Sequence, residues 1–457
     1  MLKLSNISPK LISLSKSSIL NSSLSRSLST SSYYFLYRSR IIYQAGALGR
    51  KQILVKPDFS KLTENVSKEI AEKTAHQFVR HTALGIWYGV IAFMAAGAVV
   101  IGGITRLTES GLSMTSWHLI KDIKRPQTEE EWQKEFARYK TFPEFEDVHS
   151  DIDLEKFKYI FFWEWFHRNW GRSIGGIFIL PYLYFHLKGK NFNRIGNNIK
   201  GLGKQSHFLL ALLGCQGLYG WYMVKSGLDK KHLDSRLDSN IARVSQYRLA
   251  GHLSMALILY SFCFNNALKC LVNPAELKIP GFSANNPIIN PENKSLISRA
   301  RKLKRMAPGM TIGMVALSIL SGAFVAGLDA GTIYNNWPHM ADEGILPVDA
   351  FSMKPLWRDM LENPTTVQLE HRFITHLAFL SLMSVCLTGY RCRAVLPKSV
   401  QYSLAAVFAA SWMQVALGIS ALLYQCPIKL AASHQSGSVA LLSTCLTLRH
   451  FMRKIPK

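Results

Sequence analysis

The first 57 residues contain neither aspartate nor glutamate; the first acidic side chain is Asp58. Disordered tails ordinarily carry acids as well as bases. A leader rich in Ser, Lys and Arg and free of acids, "MLKLSNISPKLISLSKSSILNSSLSRSLSTSS", has the composition of a mitochondrial transit peptide. Also missing is any Cys-x-x-Cys or Cys-x-x-Cys-His among the seven cysteines. That excludes a covalently attached c-type haem and an iron–sulfur framework, and leaves the thiols to be read as packing residues. Charge is scarce in eight windows, 83–104, 170–187, 205–224, 249–268, 309–328, 373–390, 400–424 and 430–448. Each is long enough to cross a bilayer as a helix, so the fold class is an all-α polytopic membrane protein.

The net charge of +25 raises the question of nucleic acid, and its distribution answers no. The excess lies in the leader, in segments 188–204, 269–308 and 391–398, and in the tail 449–457, whereas 105–165 and 329–370 are acidic on balance. Such alternation is the positive-inside rule, and it puts both termini on the basic side, the matrix if the leader is a transit peptide.

The chain reads as one four-helix unit written twice. "GAVVIGG" (97–103) returns as "GAFVAGL" (322–328), and His167-Arg168 as His371-Arg372. The Gln and Gly of "QGLYG" (216–220) recur in "QVALG" (414–418), and "RLAGH" (248–252) answers "KLAASH" (429–434). An even number of spans per unit makes the copies parallel, so the eight transmembrane helices form two parallel four-helix bundles. The expected divisions are a leader 1–57, a matrix-side segment 58–82, a first half 83–270, a Pro/Asn-rich then basic linker 271–308, a second half 309–450 and a basic tail 451–457.

This topology places His167, His252, His371 and His434 at similar depth near one membrane face. Two helices presenting one neutral imidazole each can hold an iron porphyrin from both sides. His376 competes with His371 but has no counterpart in the first half. Arg168, Arg372, Arg248 and Lys429 lie near these histidines; they suit propionates, and would equally snorkel to headgroups. Glu164 precedes His167 by three residues and shares its helical face, where the second half has neutral Gln368 before His371. Glu370 adjoins His371 and points elsewhere. Only the first pair therefore has a carboxylate placed for chemistry, although an interfacial ion pair would put it there too.

Together "GGITRLTESGLSMTSW" (102–117), "EWFHRNWGR" (164–172), "QGLYGWYMVKSGL" (216–228) and "RVSQYRLAGHL" (243–253) resemble the haem A synthase family of the mitochondrial and α-proteobacterial type. "GAFVAGLDAGTIYNNWP" (322–338), "EHRFITH" (370–376) and "SHQSGSVALL" (433–442) extend the resemblance to nearly all of residues 80–450. It implies oxidation of a haem O ring methyl to a formyl group, by successive hydroxylations and loss of water, to make haem A for cytochrome c oxidase. It implies haem b on His371 and His434, the substrate haem on His167 and His252, and Glu164 as the important carboxylate. It also implies the inner mitochondrial membrane and its lipid as surroundings, a haem O synthase as neighbour and a ferredoxin as electron donor. A homo-oligomer is compatible with all of this. Other members carry a cysteine pair in the first outer loop; residues 105–165 have none, so thiol chemistry there does not transfer. The rival readings are a bis-haem b electron-transfer protein, a haem-delivery chaperone and, against the clustering of His and Glu near one face, a parallel-repeat transporter.

Overall fold

The computed structural model describes residues 81–187, 201–228, 244–272, 291–341, 346–453 and 455. The predicted leader, nearly all of the segment 58–82 and the first part of the predicted linker lie outside the described residues. Among the described residues the chain is helical, without strands.

The helices are α1 (Thr82–Leu107), α2 (Glu129–Tyr139), α3 (Pro143–Val148), α4 (Leu154–Leu187), α5 (Leu202–Gly227), α6 (Gln246–Leu271), α7 (Pro291–Pro308), α8 (Met314–Gly327), α9 (Leu356–Glu362), α10 (Pro364–Arg391), α11 (Lys398–Leu423) and α12 (Ile428–Met452). Five helical stretches are long and apolar enough to cross a membrane: Thr82–Leu107, Gln246–Leu271, Lys294–Gly327, Pro364–Arg391 and Lys398–Leu423. Helices α4, α5 and α12 are diluted by polar side chains, such as Lys156 and Lys158 at the start of α4 and the Ser, Thr and Gln of α12.

Local chemistry sets where several helices begin. Asn363 caps α10 by accepting from the Thr365 N–H at 3.0 Å, and Pro364 occupies the first turn, where its missing N–H costs nothing. Thr128 and Glu131 form a reciprocal capping box at the start of α2. Helix α4 begins well before the apolar window at 170, because Phe157, Ile160 and Phe161 bury against Phe136 and Tyr139 of α2 in a satellite core outside the main one. The basic end of the predicted linker is also helical: α7 runs through a π turn at Gly309–Gly313, next to Pro308, into α8.

Helices α1, α4, α5 and α6 pack in a ring, with α1 against α4 and α6, and α5 against α4 and α6. Helices α8, α10, α11 and α12 repeat that arrangement. The two sets meet through α6 on α8, α1 on α12 and α6 on α12. A continuous core of Tyr88, Ile91, Phe178, Leu209, Cys263, Val407, Leu442 and Cys445 joins both sets. Outward positions carry large apolar side chains instead, Phe93 being 71 % exposed and Leu218 69 %. A helix apolar on both its inner and outer faces suits lipid surroundings. All seven cysteines are free thiols, and four of them are buried.

Candidate functional site

Each of the four predicted histidines stands opposite a glycine on a neighbouring helix. A Cβ on Gly102 of α1 would lie 2.9 Å from His167 Nε2 on α4. One on Gly220 of α5 would lie 3.4 Å from His252 Cε1 on α6. In the second set, Gly322 of α8 faces His371 Cε1 at 3.1 Å and Gly418 of α11 faces His434 Cε1 at 2.8 Å. A side chain at any of these glycines would fill the space the imidazole ring takes. Within each ring of helices the two histidines sit on diagonal members, α4 with α6 and α10 with α12.

The Gln–Gly spacing noted in the sequence now has a physical reason. Gln216 Nε2 donates to the His252 main-chain carbonyl at 3.0 Å, and Gln414 Nε2 donates to that of His434 at 2.9 Å. Gln and Gly lie four residues apart, one turn along the same face: the amide ties the histidine's helix, and the glycine one turn on makes room for its ring. The other motif correspondence shifts. The motifs align Gly97 with Gly322, but Gly97 faces the Trp170 indole, and it is Gly102 that faces the histidine as Gly322 does.

Glu164 is 2 % exposed and Arg168 8 %. The Arg168 guanidinium donates to Glu164 Oε1 and also to the carbonyls of Met114 at 2.8 Å and Ser116 at 2.6 Å. Glu164 Oε2 accepts from the Met114 N–H at 2.6 Å and the Ser113 hydroxyl at 2.8 Å. The Trp117 ring lies under the guanidinium, 4.5 Å away, and reaches toward Gly220 and His252. One buried ion pair thus seats residues 113–117 over the first histidine pair.

The second half repeats this clamp with the arginine's role kept and the carboxylate acceptor replaced by an amide donor. Arg372 donates to the carbonyls of Tyr334 and Asn336, both at 2.9 Å. Gln368, in the place of Glu164, donates its Nε2 to the carbonyls of Ala330 at 2.8 Å and Tyr334 at 3.0 Å. A carboxylate can only accept, so the loop backbone must offer donors to Glu164 and carbonyls to Gln368.

The remaining predicted residues divide. Arg248 lies over the Tyr222 ring at 4.9 Å, and its buried Nη1 has no hydrogen-bond partner among the described residues. Lys429 is exposed. His376 is exposed and bonds the Arg372 carbonyl at 2.6 Å, away from the paired arrangement. Sequence reasoning missed Ser113, Trp117 and Ser321. No local signal marks them, because each acts on a partner about 50 or more residues away.

Among the described residues, buried polar atoms without partners include Arg248 Nη1, His252 Nδ1, Gln216 Oε1 and Trp163 Nε1 in the first set, and Glu370 Oε1, Arg372 Nε and Gln414 Oε1 in the second. Such groups are costly unless something arrives to satisfy or cover them. Two diagonal imidazoles, facing glycines and an unspent guanidinium are the donor set of a bis-histidine porphyrin site, so the residues present fit haem.

A model of the COX15-CtaA family, cytochrome oxidase assembly proteins, matches residues 85–446. The chain belongs to this family. It is 44 % identical over 378 residues to the heme A synthase COX15 of Homo sapiens, covering 82 % of this chain and 83 % of that one. It is 36 % identical over 387 residues to the heme A synthase of Nitrosospira multiformis, covering 84 % of this chain and 98 % of that one. It is 37 % identical over 378 residues to a heme A synthase–mitochondrial ferredoxin fusion protein of Schizosaccharomyces pombe, covering 80 % of this chain and 59 % of the fusion.

Proposed function

We propose that this chain is a haem A synthase, an oxidoreductase of the mitochondrial inner membrane that converts the ring methyl of haem O to a formyl group. The observation that carries the reading is the pair of diagonal, glycine-backed histidine sites, the first with a carboxylate, Glu164, buried in an ion pair one turn from His167 where the second has Gln368. The names of the relatives agree with it. The arrangement is eight membrane-crossing helices in two parallel bundles, with both termini in the matrix.

In this reading His167 and His252 hold the substrate haem, and Arg248 takes a propionate. Arg168 and Arg372, the other two arginines expected at the propionates, act there by anchoring the outer segments through backbone carbonyls. Lys429, exposed near His434, meets the second porphyrin's edge. Glu164, fixed by three donors, keeps one carboxylate in one place, where it stabilises positive charge developing on the ring methyl without reorganising. The clamp formed with Arg168 and Trp117 excludes water from that side. His371 and His434 hold haem b, which supplies electron transfer when bound. The fusion of a related synthase to a ferredoxin supports a ferredoxin as the donor; a haem O synthase delivers the substrate.

The test is to purify the detergent-solubilised chain and identify its extracted pigments by chromatography and mass. Haem b together with haem O, its hydroxylated form or haem A supports the synthase. Haem b alone, at two per chain, would replace it with an electron-transfer cytochrome. Absence of haem would overturn the ligand roles of all four histidines.

A further inference from the structure

The two histidine pairs differ in what holds their rings. Ser321 Oγ lies 2.7 Å from His371 Nδ1, and the same hydroxyl donates to the Ser318 carbonyl at 2.9 Å. A hydroxyl has one hydrogen. The hydroxyl can give that hydrogen to the Ser318 carbonyl while accepting from the imidazole, and in this arrangement Nδ1 carries the proton and Nε2 is left bare for iron. The Gln414 amide does not do this for His434. Its Nε2 is 3.1 Å from His434 Nδ1, but an amide NH2 has no lone pair to accept a ring proton.

The first pair has no such device. Gly102 stands to His167 as Gly322 stands to His371, so the residue corresponding to Ser321 is Ile101, which is apolar and buried. Among the described residues His252 Nδ1 is buried without a hydrogen-bond partner. A ring whose orientation and tautomer are set in advance loses less freedom on ligation and binds metal about 10–100-fold better than one without its outer partner.

We propose that Ser321 is a positioning residue that makes the second porphyrin a resident cofactor, and that apolar Ile101 in the matching place keeps the first site exchangeable. This rests on the haem A synthase reading, in which the first site must admit a porphyrin as substrate and release it as product.

The experiment uses the full chain, purified in detergent with its native pigments, and the variants Ser321→Ala, Ser321→Thr and Ile101→Ser. Each is mixed with excess apomyoglobin as a haem scavenger, and the haems still bound are identified by chromatography over time. Wild type should keep haem b and give up haem O and haem A first. Ser321→Ala should lose haem b about 10–100-fold faster and shift its midpoint potential, and Ser321→Thr, which keeps the hydroxyl, should restore both. Ile101→Ser should slow the loss of haem O. Wild-type rates of haem b loss in Ser321→Ala, or of haem O loss in Ile101→Ser, would overturn the proposal and leave the haem sites standing. Full haem b content in His371→Ala would overturn the site assignment itself, and the proposal with it.

Discussion

Replacing Glu164 by Gln keeps the shape of the side chain and reverses half of its hydrogen bonding. In the native chain Oε2 receives the Ser113 hydroxyl at 2.8 Å and the Met114 N–H at 2.6 Å, while Oε1 receives Arg168. A glutamine must turn its NH2 either toward Ser113 and Met114 or toward the guanidinium, and each choice sets donor against donor. It also leaves Arg168, 8 % exposed, without its counter-charge. Breaking a buried ion pair from one side costs about 3–5 kcal/mol. At 1.4 kcal/mol per decade, opening of the segment should become about 100- to 4,000-fold more frequent. The measurement is amide exchange across residues 108–117 in detergent, read by mass spectrometry. Protection there should fall while α10 to α12 keep theirs. Gln368→Glu is the mirror experiment: a carboxylate facing the Ala330 and Tyr334 carbonyls should loosen residues 330–336 and leave 108–117 alone. Native protection of 108–117 in Glu164→Gln would refute the clamp.

Gly418→Ala puts a methyl 2.8 Å from His434 Cε1, so the ring must move; overpacking costs about 1–3 kcal/mol, and extracted haem b should drop while haem O does not. Undiminished haem b would show that Gly418 does not set the ring's position. Arg248→Gln removes a guanidinium whose Nη1 is unpartnered, and should weaken haem O retention by about 10–100-fold, the worth of a charge-assisted hydrogen bond, with haem b unchanged. Equal loss of both haems would remove Arg248 from the first site. The outer segment should respond to pH in two directions. Burial holds the His149 ring below its ordinary 6.5, so its contribution is complete above that value and is lost as pH falls toward the folded pKa. Burial, reinforced by the charge of Glu164, holds the Glu144 carboxyl well above its ordinary 4.5, so its contribution is complete below 4.5 and is lost as pH rises through the folded pKa. Glu144→Gln can still accept from the Tyr139 hydroxyl, now 3.0 Å from the carboxyl, and should raise amide protection of residues 129–149 on the alkaline side only. An acid limb that vanished as well would take His149 out of the explanation.

Much of this was legible before any coordinates. Each of the eight charge-poor windows lies largely within helix, and the pairs His167/His252 and His371/His434 fall on diagonal helices. The Gln–Gly spacing pointed to a shared role because residues four apart occupy one helical face. Apolar runs and helical periodicity are properties of neighbours in sequence, and burial acts on them in the same way wherever the helix ends up. The positions of Glu164 and Gln368 relative to their histidines were legible for the same reason.

Only the tertiary structure decided what those side chains do. Residues 105–165 read as a loop, yet 129–148 fold into two helices that cover Tyr139 and His149, because aromatic residues of α2 meet those at the start of α4. Arg168 read as suited to a propionate or to the headgroups; its partners at Met114 and Ser116 are more than fifty residues distant in the chain. The matching of Gly102 with Gly322, five residues from the alignment of 97–103 with 322–328, is decided by which glycine meets each histidine ring across the helix pair. Nothing local marks Ser321 as the partner of His371. A helix's register against its neighbour and the donor that meets a given acceptor come from the packing of whole helices, and sequence periodicity carries no record of that choice.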